Sequence, residues 1–211
     1  MVTDKSIYQI ALTQIKGIGI TLARTLMQTV GDEEAIFKES TKNLEKIPRI
    51  SRRLISEIHN SEVMKRSEEE LKFIEKNAID LHFFTSPLYP QRLTNCIDAP
   101  ILIYSKGNVD FNRAKTISIV GTRHASEYGK QCCEKIVKEL SERIPDLLII
   151  SGLAFGIDIC AHRAALKNNL STIAVLGHGL DRIYPAAHRK TAVEMLSHGA
   201  LISEFPSKTS P

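Results

Sequence analysis

No run in the sequence approaches the ~20 consecutive apolar residues that a bilayer-crossing helix needs, so a helical membrane span is not expected. Met1 to Gln9 holds no apolar core followed by a small-residue cleavage site, so no secretory signal is read there. Cysteine is scarce. Cys96, Cys132, Cys133 and Cys160 include no CxxC spacing, and the adjacent pair Cys132–Cys133 points in different directions on a helix. These are read as reduced thiols packed as small hydrophobes, which predicts a cytoplasmic protein with no disulfide framework. His124, His178 and His198 have no ligand-like partner spacing, so neither a metal nor another cofactor is expected. Charge of one sign is not concentrated either. The net charge is +4, divided as +1 over residues 1–78 and +3 over the remainder, with no polybasic tail. Any anion site must therefore be built locally. No low-complexity segment and no internal repeat is evident.

What is present divides at about residue 78. Residues 1–78 read as short helices, with Ile7, Ile10, Ala11 and Ile15, then Leu22, Leu26 and Val30, at helical spacing. His82 to Thr85 reads as a short strand. Ser86 to Pro100 contains Pro87, Pro90 and Pro100 and is expected to be irregular. Ile101 to Tyr104 is a further strand. After Lys115 strands and helices alternate. Strands are predicted at 116–120, 147–150, 172–176 and from Ala200, and helices at 126–143, 156–167 and 187–198. Short apolar strands separated by single helices predict a Rossmann-like parallel sheet covered on both faces. The expected organisation is a helical domain over 1–78 and an α/β domain over 79–211.

Each of three strands ends in a glycine-bearing loop. The first is Gly121–Thr122–Arg123, the second Ser151–Gly152–Leu153–Ala154–Phe155–Gly156, the third Gly177–His178–Gly179. In a parallel sheet all strand C-termini share one rim, and ligands of open α/β sheets bind there. Glycine lets the backbone approach a ligand, and N–H groups at helix N-termini favour phosphate. Arg123 adds a bidentate charged donor, and Thr122 and Ser151 add hydroxyls. The rim is therefore predicted to bind phosphates. GxxxxGK(S/T) is absent, and Gly177–His178–Gly179 continues as Leu180–Asp181–Arg182, without the third glycine of GxGxxG. A nucleotide triphosphatase and a dinucleotide-dependent dehydrogenase are thereby disfavoured.

The same residues carry a family resemblance. Ser118–Ile119–Val120–Gly121–Thr122–Arg123 with Ser126–Glu127–Tyr128–Gly129 resembles the opening motif of the DNA-processing DprA (Smf) family. Ser151 to Asp158, with Ala161–His162 and Ala164–Ala165–Leu166, resembles its second motif. Val175 to Pro185 resembles the third and Ser203–Glu204–Phe205–Pro206 the fourth. Tyr89–Pro90, Leu93, Ala99–Pro100 and Gly107 fit the approach to the core. The resemblance covers roughly residues 80–211. It implies a protein that binds single-stranded DNA with little sequence preference, helps load the recombinase RecA in natural transformation, is dimeric at full length and has no established catalytic activity. It also implies that the strand lies on the rim, at Gly121, Thr122, Arg123, Ser151, Gly152, Phe155, Gly156, Gly177 and Gly179. Two positions depart from the family pattern. Phe155 stands where a basic residue is usual, and an aromatic ring there offers base stacking instead. His188 stands where asparagine is usual. Family members also continue beyond the fourth motif, so the Rossmann-like domain is read as incomplete at its C-terminus.

Ile15–Lys16–Gly17–Ile18–Gly19–Ile20 looks like a helix-hairpin-helix turn, which exposes backbone N–H groups to DNA phosphate. A degenerate second copy is read in Ile47 to Arg53, with Pro48 and Ser51 in place of the glycines. Asp158, His162 and Ser151 are the residues an acid–base or nucleophilic reaction would use. Asp158 and His162 share a helix face, but Asp158 falls in the first helical turn, where carboxylates satisfy backbone N–H groups, so a structural role is expected. Two rival readings remain. One is a Rossmann-like enzyme that cleaves nucleoside monophosphates, which needs a glutamate beside its glycine loop; Gly177–His178–Gly179 has none close in sequence. The other is a scaffold that meets RecA without binding DNA.

Overall fold

The computed structural model describes residues 3–211, so the expectation of helix from the first residue falls in part, at Met1 and Val2, outside the described residues. The chain divides into two compact units, one ending at Ile103 and the other beginning at Tyr104.

The first unit holds six helices: α1 (Ser6–Gln14), α2 (Ile20–Val30), α3 (Glu33–Lys38), α4 (Thr41–Leu44), α5 (Arg52–Ile58) and α6 (Ser61–Asn77). Their starts are chemically marked. Asp32, Ser40, Ser51 and Asn60 each accept a hydrogen bond from a backbone N–H of the helix that follows. Ile10, Leu12, Leu26, Ile36, Leu44, Ile58 and Ile74 form the fully buried interior. After β1 (Asp80–Phe83), the proline-rich stretch contains only a 3-10 turn, Gln91–Asn95, and is pinned by the Tyr89 hydroxyl donating to the Pro100 carbonyl at 2.6 Å.

The two hairpins of this unit share one backbone. Gly17 has φ +102° and Arg49 φ +67°. In each hairpin the next N–H closes a four-residue turn, Ile18 to the Ile15 carbonyl at 3.2 Å and Ile50 to the Ile47 carbonyl at 3.3 Å. Gly19 and Ser51 then occupy the residue before α2 and α5. The degenerate second copy thus has the same turn as the first. Ser51 stands at the position of Gly19 as expected, but Arg49, not Pro48, takes the left-handed position of Gly17.

The second unit carries most of a six-stranded sheet of order β1-β2-β6-β5-β4-β3. Its strands are β2 (Leu102–Gly107), β3 (Thr116–Ser118), β4 (Leu148–Ser151), β5 (Ser171–Leu176) and β6 (Gly199–Ser203), and its helices α7 (Glu127–Arg143), α8 (Ile157–Lys167) and α9 (Arg189–His198). β3 to β6 are parallel, whereas β2 runs antiparallel to β6, so the sheet is mixed. The α/β alternation is as expected, but the coverage is not. Ile149 pairs with Thr172, and Ala174 pairs with Leu201, which places Ile149, Thr172, Ala174, Leu176 and Leu201 on one face. Val137 of α7 and Ala161 and Ala164 of α8 pack with Ile149, while Ile159 of α8 and Ala192 and Met195 of α9 pack with Ala174, Leu176 and Leu201. All three helices therefore cover the same face, which corrects the expectation of helices of this unit on both. The reason is topological: right-handed crossovers between strands laid down in one direction return on the same side. Val120 and Val175 belong to the opposite face and are 76% and 47% exposed.

Candidate nucleic-acid interface

The three glycine loops follow β3, β4 and β5 and share one rim, and the first two are locked together by close contact. Gly156 has φ +81°, and a Cβ built there would lie 2.0 Å from the Thr122 carbonyl oxygen. The Ile157 N–H donates to that same oxygen at 3.2 Å. A Cβ at Gly121 would lie 2.7 Å from Ile157 Cγ1. The first loop therefore rests on the second only because both positions lack side chains.

Gly152 donates its N–H to Asp158 Oδ2 at 3.1 Å, and Gly179 donates to the Thr209 carbonyl at 3.2 Å. A Cβ at Gly179 would meet the Pro206 carbonyl oxygen at 2.4 Å. Gly177 is different. It is exposed, and a Cβ there meets nothing within 4 Å. Packing accounts for the other rim glycines; it does not account for this one.

Beneath the rim Ser151 and the histidines are committed, while Thr122 is exposed on the first loop. Ser151 is buried and donates to the Ile119 carbonyl at 2.6 Å. Thr122 Oγ1 accepts from the His124 N–H at 3.1 Å. Leu153, at φ +58°, is held from both sides of its backbone. Its N–H donates to His162 Nε2 at 3.3 Å, and its carbonyl lies 2.7 Å from His188 Nδ1. His162 Nδ1 lies 2.7 Å from Thr172 Oγ1. Since Nε2 accepts from Leu153, the proton of His162 sits on Nδ1 and is donated to Thr172. Burial, reinforced by the nearby charge of His188, pushes the His162 pKa down to about 3. Ser151, Asp158 and His162 are thus spent separately on holding loops and form no relay. Burial likewise pushes the Cys133 thiol up to about 12, the opposite of a reactive thiolate.

Above them lies a cleft of about 220 Å³, lined by Arg123, Gly152, Ala154, Phe155, Leu176, Gly177, His178, Tyr184, Pro185 and Pro211. Of the residues expected at the site, the cleft gathers Arg123, Gly152, Phe155 and Gly177. Gly121, Thr122, Ser151, Gly156 and Gly179 shape the surrounding loops. No acidic side chain lines it. Arg123 is exposed, with no ion pair among the described residues. Phe155 (47% exposed) and Tyr184 (57%) show ring surface to solvent. His178, Tyr184 and Pro185 were not read as site residues, although Tyr184–Pro185, a cis peptide here, stands in the third motif. Among the described residues no cluster of three or more His, Cys, Asp or Glu could hold a metal ion, and no helix is long and apolar enough to cross a membrane.

Residues 80–211 match the family model for DNA recombination-mediator protein A. The chain belongs to that family. Among curated members, the DNA processing protein DprA of Streptococcus pneumoniae is 40% identical over 117 residues, 56% of this chain and 40% of that protein. Protein Smf of Synechocystis is 30% identical over 218 residues, all of this chain and 54% of that protein. The chain thus spans about half the length of these DprA/Smf relatives, or less. Among solved structures, DprA from Streptococcus pneumoniae superposes with a TM-score of 0.66 at 26% identity, over 100% of this chain and 70% of that one. A Helicobacter pylori DprA structure, described as giving insight into a unique single-stranded DNA binding mode, superposes with a TM-score of 0.55 at 28% identity, over 63% of this chain and 58% of that one. The α/β core and its family are therefore those the sequence motifs implied.

Proposed function

We propose that this chain binds single-stranded DNA along the glycine rim and serves as the DNA-holding part of a recombination mediator. The observation that carries the reading is the cleft itself. A free guanidinium (Arg123), two exposed rings (Phe155 and Tyr184) and an unobstructed glycine (Gly177) converge there with no acidic side chain. A cation and stacking rings are what a strand offering phosphates and base faces requires. Sequence-independent binding follows, because phosphates and π-faces are common to every nucleotide. The family relationship and the DNA-bound mode named for the Helicobacter pylori protein support the same reading. Within it, the longer protein is a homodimer that hands the strand to RecA in the cytoplasm, and the chain needs no cofactor. The nucleoside monophosphate-cleaving alternative is not favoured, because no glutamate side chain lines the cleft.

The test is fluorescence anisotropy of a labelled single strand over a salt series, with duplex as competitor. Binding that prefers single strands and weakens with salt is expected. Arg123→Ala should lower the log–log salt slope by about 0.7, the loss of one phosphate contact. Affinity and slope unchanged by Arg123→Ala would remove the rim as the site.

A further inference from the structure

A second cavity of about 350 Å³ lies between α7 and α8, away from the cleft residues. Its origin is in the packing. Cys133 and Val137 of α7 meet Ala161, Ala164 and Ala165 of α8, and such small side chains let the helices approach closely. The walls above that seam are then formed by the long side chains of the next positions. Lys135 and Lys138 stand on one wall, Arg163 and Lys167 on the other, with Glu134 as the one acid of the lining.

These cations are weakly committed. Lys135 and Lys138 approach Glu139 and Glu142 at 3.8 and 4.0 Å, beyond hydrogen-bond length, and all four side chains are largely exposed. Such pairs contribute little. Lys130 and Glu127, by contrast, close to 2.6 Å. Arg163 spends only Nε, on Thr191 Oγ1 at 3.3 Å, which leaves its terminal nitrogens to the groove.

We propose that this groove is a second phosphate track, which carries the backbone of the bound strand on from the rim; the inference rests on the single-strand reading above. The placement supports continuity. α7 and α8 both begin at the rim, and Ser126, which caps α7, is three residues from Arg123. From Ser126 to Gln131, the first groove residue on α7, the helix rises only ~7.5 Å. Lys135 and Lys138 are then ~4.5 Å apart along one wall, and Arg163 and Lys167 ~6 Å apart along the other. Cations facing each other in two rows clamp a polyanion from both sides. No aromatic residue lines the groove, so it grips phosphate without stacking bases.

The experiment compares a short oligonucleotide that fills only the rim with one several times longer, on the whole chain and on the triple variant Lys135→Gln, Lys138→Gln, Lys167→Gln. All three side chains are exposed, so the fold is unaffected; circular dichroism checks this. For the long strand the log–log salt slope should fall by about 2, three contacts at ~0.7 each. For the short strand slope and affinity should not change. A long-strand slope that survives the triple substitution, with Arg123→Ala still effective, overturns the track and leaves the rim reading intact. Equal losses for both lengths also overturn it, since they mark a general charge effect. Binding of poly-glutamate lost in the variant while DNA binding persists would reassign the groove to an acidic protein segment. A parent chain that binds neither length overturns the rim reading and the track together.

Discussion

The Phe155 ring meets His188 edge to face, with centroids 4.9 Å apart and planes at 70°. These are the two positions that the family resemblance marked as departures, and they touch. His188 is buried and braces Leu153 through its Nδ1–H, while Phe155 lies half exposed in the cleft against it. The Phe155 ring is therefore supported by a residue that is itself fixed. It supplies a rigid platform rather than a charge.

That exchange has a measurable signature. Phe155→Ala should weaken single-strand binding by about 1–3 kcal/mol, the range for loss of one stacked base, which is roughly 5- to 150-fold, without altering the salt slope. Phe155→Lys should instead raise the slope by about 0.7. Anisotropy titrations at three salt concentrations separate the two. A slope that falls with Phe155→Ala would mean that the ring acts by positioning a charge.

The glycines divide by the same logic. Gly156→Ala forces a Cβ against the Thr122 carbonyl at a left-handed backbone position, and should cost about 2 kcal/mol or more, a fall of some 4–8 °C in Tm. Gly177→Ala should change stability by no more than about 0.5 kcal/mol, yet weaken the strand complex. Thermal melts and binding assays on the two variants are expected to give opposite patterns.

His162 makes stability depend on pH. Its pKa lies near 3 when folded, against an ordinary value of 6.5. Between those values the unfolded chain takes up a proton that the folded chain refuses. The stabilisation is complete above about pH 6.5 and declines as pH falls toward 3, with a slope of about 1.4 kcal/mol per pH unit. Urea unfolding between pH 6.5 and 5, where carboxylates are still ionised, reads it together with His82, whose pKa burial also lowers. His162→Gln should flatten that slope; an unchanged slope would place the titration elsewhere.

Arg49 holds the left-handed conformation that Gly17 adopts freely. A non-glycine residue there costs ~1–2 kcal/mol, partly offset by the greater freedom that glycine loses on folding. Arg49→Gly should therefore raise stability by up to about 1 kcal/mol, and Gly17→Ala should lower it. A destabilised Arg49→Gly protein would show that the arginine side chain, rather than the backbone path, maintains the second hairpin.

Local features were legible in the sequence. β-branched runs gave Thr116–Ser118 and Ser171–Leu176, Ser126 marked the start of α7, and the loops after β3, β4 and β5 were placed on one rim. The purpose of each glycine was not legible. Spacing could not distinguish Gly156, which faces a carbonyl 2.0 Å away, from Gly177, which faces open space. The clamp on Leu153 was hidden for a similar reason, because His188 reaches it from 35 residues away. The second hairpin was misaligned because glycine was sought by identity, whereas the chain preserves a dihedral angle and tolerates arginine there. The one-sided helix cover depends on strand order, which periodicity does not report.

β3 has a neighbour on one side only among the described residues. Its free flank is short, three residues, and begins next to Lys115, features that discourage indiscriminate edge pairing. Any strand laid parallel along that flank would end beside Arg123, and a helix following it would present its amino terminus to the same cleft. On the single-strand reading proposed above, growth of the sheet and capture of a strand would share an address. On that reading an added element would extend the fold and remodel the binding surface in a single step, and assembly and DNA occupancy would be thermodynamically linked.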